Sequence, residues 1–186
     1  MAVEVGSDVQ RAAERVVGEL KRRVERSAPQ ARVNWVKVER LHLTVRFIGE
    51  VSDQLGRQIL AALEPPLLTT AFDLAIAGTG TFPPRRPPRV LWAGVAVGLE
   101  PLLAVEQEVR TRLAHLTAVE GDRAYHPHLT LARIKDAAGL RPASLLEGLE
   151  NVVFGAVRVE AVTLFESRVP SEPAYVPLGR TPLGHA

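Results

Sequence analysis

The tripeptide His-Leu-Thr opens at His42 and again at His128, each time within a stretch that reads as β-strand, "HLTVRFIGE" and "HPHLTLARIK". The surroundings repeat as well. Each copy is followed by a helical pattern and then by a strand led by phenylalanine, Phe72 to Phe82 in one half and Phe154 to Phe165 in the other. A chain that writes the same strand–helix–strand order twice is expected to build two similar lobes. The expected fold is α+β: two pseudo-symmetric lobes, each a mainly antiparallel sheet with outer helices, forming a central groove. Residues 1–186 are expected to make a single bilobal domain.

The rest of the chain reads consistently with this plan. "DVQRAAERVVGELKRRVERS" (8–27) carries Val9, Ala12, Ala13, Val16, Val17, Leu20 and Val24 at helical spacing, with Asp8 as its expected cap. The short "AVEV" before it is a candidate strand. "VNWVKVERLHLTVRFIG" (33–49) reads as one strand, and Ser52 as the cap of a helix to about Leu63. Strands are expected from Phe72 and from Val90. A helix is expected to open at Pro101 and run to about Leu116. From His128 the spacing predicts strand, over 142–150 a short helix, over 156–167 one strand, and in "AYVPLG" a last one. The four prolines of "TFPPRRPPR" exclude a central strand there.

Composition narrows the function classes. No cysteine is present, which excludes disulfides and thiolate metal sites. The apolar content is 46%, yet no apolar run approaches the ~20 residues that cross a bilayer. A cytoplasmic protein without a signal peptide or membrane contact is expected. Net charge is +2, and only Lys21, Lys37 and Lys135 are lysines, so the positive charge is nearly all arginine. That suits phosphate; a coding bias toward Arg, Ala, Val, Pro and Leu would produce it too.

On a strand, residues two apart share a face. His42, Thr44 and Arg46 therefore share one face, and Leu43, Val45 and Phe47 the other. His128 and Thr130 share a face while Leu129 and Leu131 point inward. If two such polar faces meet across a groove, two imidazoles and two hydroxyls converge on one small volume. That set suits phosphoryl chemistry. A neutral histidine takes a proton from water and a protonated one gives a proton to a leaving oxygen. Hydroxyls and an arginine hold the non-bridging oxygens. No metal and no cofactor are required. Arg133 lies five residues after His128, so it reaches the same face only if the strand ends, twists or bulges near Ala132.

Other residues read as structural. A third His-Leu-Thr at His115 falls on the polar side of a helix, where His115 and Thr117 do not face each other. His126 precedes a proline and is expected to neighbour the site, and His185 lies in the tail. Trp92, Phe47, Phe82, Tyr125 and Phe165 read as core. The proline-rich loop reads as rigid, with one of Arg85, Arg86 and Arg89 touching phosphate.

With these residues in view, "HLTVRFIGEV", "FPPRRPPRVLWAGV" and "HPHLTLARIK" resemble the bacterial and archaeal RNA 2′,3′-cyclic phosphodiesterases, also called the 2′-5′ RNA ligase family, within the two-histidine phosphoesterases. The resemblance covers about residues 33 to 178. It implies a bilobal α+β fold with a central groove. It implies His42 and His128 as the catalytic pair, and Thr44, Thr130 and Arg133 on the phosphate; Arg46 joins the substrate-binding candidates by its parity. It implies opening of a 2′,3′-cyclic phosphate at an RNA end to a 2′-phosphate, with tRNA fragments or nucleotides among the possible substrates, by a protein expected to act as a monomer. One departure is the first strand, which the family usually writes longer than "AVEV". The rival readings are 2′-5′ ligation or hydrolysis of another cyclic phosphate on the same scaffold, and a non-catalytic RNA-end binding module. A metallohydrolase is more distant, because no third ligand stands at a usual spacing from the two histidines.

Overall fold

In a computed structural model of the chain, residues 1–84, 87–117, 124–168 and 173–184 are described. The first helix follows the apolar spacing closely. A short strand β1 (Ala2–Glu4) leads into α1 (Ser7–Ser27), which buries Val9, Ala12, Ala13, Val16, Val17, Leu20 and Val24. Gly6 stands at its cap position without a side-chain bond, and Asp8 lies in the first turn, where a carboxylate suits the positive end of the helix. The stretch expected as one long strand is three pieces: β2 (Arg32–Trp35), a 3₁₀ turn (Val38–Arg40) and β3 (His42–Thr44). Next comes α2 (Asp53–Leu63), capped as expected by the Ser52 hydroxyl, which accepts from the Leu55 N–H.

Two long strands follow, β4 (Phe72–Phe82) and β5 (Val90–Val97). Helix α3 spans Leu99–Leu113. It begins two residues before Pro101 because Gly98 turns the chain at φ 83°, where a Cβ would sit 2.4 Å from the Asp73 carbonyl oxygen. Pro101 is still within the first turn, where an N–H has no helical partner to lose. The second motif lies on β6 (His128–Asp136), followed by α4 (Pro142–Leu146). The segment expected as one strand over 156–167 is two, β7 (Val153–Val159) and β8 (Ala161–Ser167), and β9 (Tyr175–Pro182) comes last.

The main path of the antiparallel sheet runs β7-β4-β5-β6-β3-β1-β8-β9, with β2 paired to β6 beside it. It has two wings of four strands, which meet where β6 pairs with β3 at Leu43 and Leu129. The wings are not the two halves of the sequence. The Phe-led strands β4 and β7 pair with each other in one wing, with Phe72 opposite Val159. The N-terminal β1 and the C-terminal β8 share the other wing, with Ala2 opposite Thr163. The helices divide in the same way: α1 packs on α4 and β7, and α2 packs on α3 and β9. One hydrophobic core runs through both wings and includes Leu20, Leu43, Leu74, Leu91, Leu129 and Val162. Among the described residues no helix is long and apolar enough to cross a membrane.

Candidate active site

The junction of the wings positions the site. Leu43 and Leu129 are opposite one another in antiparallel register and fully buried. Side chains alternate along a strand, so His42, Thr44, His128 and Thr130 point away from the core on the other face. Continued one step each way, the register faces His42 toward Thr130 and Thr44 toward His128. Directly opposed side chains start about 5 Å apart and diagonal ones, such as the two histidines, about 7–8 Å apart.

Each imidazole is held in the same way. His42 Nδ1 lies 2.9 Å from the Arg40 carbonyl oxygen, and His128 Nδ1 lies 2.7 Å from the His126 carbonyl oxygen. A carbonyl only accepts, so Nδ1 carries a proton in both rings. Nε2 is then the atom that gains or loses a proton, and its direction is fixed by the bond on the far side of the ring. Each ring also meets an aromatic edge: Tyr175 against His42 at 4.9 Å and Phe82 against His128 at 5.1 Å, both T-shaped. The two half-sites thus repeat in tautomer and in packing as well as in sequence.

Their electrostatics differ. Burial holds His42 below the usual histidine range, and the Met1 ammonium and the Arg133 guanidinium push it the same way, against the opposing bond to Arg40. In the free protein His42 therefore favours its neutral form. An anion between the histidines would push the other way, toward the charged form.

Arg133 stands on the groove side of the sheet because of a bulge. Trp92 pairs with Thr130, but Leu91 pairs with Ala132, so Leu131 is an extra residue on β6. Leu131 and Ala132 are both fully buried, the alternation slips by one, and Arg133 is exposed on the face that carries His128 and Thr130. This is the break in parity that its place in the sequence requires.

Arg46 is placed otherwise. β3 ends at Thr44, and the Arg46 side chain, 9% exposed, pairs with Glu106 of α3 at 3.4 Å. Phe47, expected in the core, is 68% exposed. Tyr125 donates its hydroxyl to the Thr44 carbonyl at 2.8 Å, a bond between the second motif's approach and the first motif's strand. Burial, helped by the charge of Glu106, raises its pKa well above the ordinary tyrosine value, so it remains a donor. Neither this bond nor the Tyr175 contact has a signal in local sequence. His115 is exposed in the turn after α3, and His126 lies beside the site as expected. Arg89 is exposed, while Arg85, Arg86 and His185 lie outside the described residues. Among the described residues no three His, Cys, Asp or Glu side chains gather as a metal cluster would require.

A curled antiparallel α+β sheet with two matched histidine–threonine strands at its centre defines a class of phosphoesterase. The chain belongs to the 2′-5′ RNA ligase superfamily, whose family model matches residues 9–169. It is 37% identical over 134 residues to an RNA 2′,3′-cyclic phosphodiesterase of Aeropyrum pernix, covering 71% of this chain and 75% of that one. To the protein of the same name from Methanothermobacter thermautotrophicus it is 32% identical over 148 residues, covering 78% and 79%. Among solved structures it resembles TT0787 of Thermus thermophilus, with TM-score 0.72 and 25% identity over 98% of this chain and 95% of that one. The fold is also that of Escherichia coli LigT complexed with 3′-AMP, with TM-score 0.70, 23% identity and the same coverage.

Proposed function

We propose that this protein opens 2′,3′-cyclic phosphates at RNA ends to 2′-phosphates, with His42 and His128 as the acid–base pair. The observation that carries the reading is the Leu43–Leu129 pairing, which turns two histidine–threonine pairs onto one face. One Nε2 takes a proton from the attacking water, and the other gives a proton to the ribose 3′ oxygen as the P–O3′ bond breaks. Thr44, Thr130 and Arg133 hold the non-bridging oxygens and meet the charge that builds on phosphorus. The exposed ring of Phe47, just past the first motif, offers a stacking surface to the nucleobase of that end. Arg46 is assigned to the fold rather than to the phosphate. One chain supplies both half-sites, so residues 1–186 act as one domain and a monomer is sufficient. The curated relatives that carry the name RNA 2′,3′-cyclic phosphodiesterase support this activity over ligation or binding alone.

The test is product analysis. An oligonucleotide ending in a 2′,3′-cyclic phosphate should give a 2′-phosphate terminus and no joined product. Release of a 3′-phosphate, or recovery of intact cyclic phosphate, would contradict the assignment.

A further inference from the structure

A cavity of about 500 Å³ opens beside His128. Its lining includes Phe82, Trp92, Tyr125 and His128, with Leu103 of α3 across from the sheet and Glu150 at a polar stretch. No residue of 41–49 borders it, so it is distinct from the surface that Phe47 offers to the terminal base. We propose that this cavity binds a second nucleobase, so that the protein reads two nucleosides at an RNA end. The inference rests on the cyclic phosphate reading above and adds a substrate subsite to it.

Three observations support it. The size is that of a pocket for a small organic molecule. The walls are aromatic on the sheet side: Phe82 and Trp92 have ring centroids 5.2 Å apart, and Tyr125 stands close by. Stacking on such rings accepts any base, as an enzyme acting on RNA ends requires. The indole is also given room by a glycine. Trp92 lies against Gly80 of β4 so closely that a Cβ there would fall 2.2 Å from the ring, and its Nε1, buried, has no partner. A large apolar ring seated on a glycine and facing a cavity serves contact with something in that cavity. Because His128 forms part of the wall, the occupant sits next to the phosphate. The same chemistry has two possible sources: the penultimate nucleoside of the same strand, or a nucleoside of a second strand.

Binding calorimetry tests this without reference to turnover. The probes are adenosine 2′-phosphate, the dinucleotide adenylyl-adenosine ending in 2′-phosphate, and adenylyl-adenosine with free hydroxyl ends. If the occupant is the penultimate nucleoside, the phosphorylated dinucleotide binds about tenfold tighter than adenosine 2′-phosphate, as one added stack predicts. If it comes from a second strand, protein saturated with adenosine 2′-phosphate takes up the unphosphorylated dinucleotide in a saturable way. Leu103→Trp fills the cavity from a helix position that is 39% exposed, and so spares the fold. It should abolish either gain and leave the affinity for adenosine 2′-phosphate within about twofold, the size of a neutral surface change. Trp92→Leu should also remove the gain. Equal affinity for the two phosphorylated probes with no uptake of a second ligand would overturn the proposal. So would a gain that survives both variants. Failure of cyclic phosphate opening would show separately, in the product analysis.

Discussion

Replacing Arg46 tests whether its charge serves the fold or the substrate. Its guanidinium lies 3.4 Å from Glu106, with the side chains 9% and 12% exposed. At an effective dielectric constant of about 20, unit charges at that distance attract by about 5 kcal/mol, which the cost of desolvating both largely cancels. Removing one partner is different, because the other charge remains in the interior. Such a change costs about 3–5 kcal/mol. Arg110, 3.9 Å from the other Glu106 oxygen, compensates in part, so Arg46→Met should fall near the lower end, about 3 kcal/mol. For a chain of this length each kcal/mol moves Tm by roughly 2–4 °C, so Tm should drop by roughly 6–12 °C. Replacing both, Arg46→Met with Glu106→Leu, should recover stability to within about 1 kcal/mol of the wild type, because no buried charge is left alone. Urea unfolding at equilibrium, followed by the fluorescence of Trp35 and Trp92, measures both stability differences provided the slope m is unchanged. Wild-type stability in Arg46→Met, together with a raised KM, would refute the structural assignment and return Arg46 to the phosphate.

His42→Ala and His128→Ala should each lower kcat by at least about 10²-fold with unchanged unfolding curves, while His115→Ala remains at wild-type activity in the same assay. Tyr125→Phe keeps the ring but leaves the Thr44 carbonyl without its donor. It should cost about 1–2 kcal/mol in urea unfolding and lower kcat/KM, and no change in either would show that the bond does not align the half-sites. Because folding favours neutral His42, that stabilisation is complete above about pH 6.5 and is lost as pH falls through the lower folded value. Tm should therefore fall on acidification across that window, and His42→Gln should flatten part of the fall in scans from about pH 5 to 8. Turnover should survive exhaustive chelation, because the proposed His42–His128 acid–base pair needs no metal; loss with rescue by zinc or manganese would point to a metal-bound water and against that pair.

What the sequence made legible was whatever depends on a local period. The buried face of α1 follows from spacing alone, because an amphipathic helix of 21 residues has one way to hide its seven apolar positions. The two motifs and their polar faces were legible for the same reason, since alternation on a strand is strict. Arg133 marks the limit: its parity showed that a bulge was needed, but the bulge exists only in the pairing of β6 with β5. The Arg46–Glu106 pair joins side chains distant in sequence, which no periodicity reports. Phe47 was misread because the alternation was carried past Thr44, where the strand had already ended. The exchange of strands between wings was hidden because Val153–Val159 and Ala161–Ser167 abut with a single residue between them and carry similar β-branched composition.

That exchange of strands also orders events during synthesis. Ala2 leaves a ribosome long before Thr163, one of its strand partners. Until β8 arrives, β1 has β3 on one edge only, and its other row of peptide groups is a bare template for any passing chain. His128 on β6 appears before β8 and can be seated beside β5, which β4 already flanks, while His42 still waits on an unfinished wing. Such long-range closures are slow. Both histidines are thus translated well before the sheet that must hold them is closed, and a chain truncated before β8 yields an open edge rather than a weak enzyme.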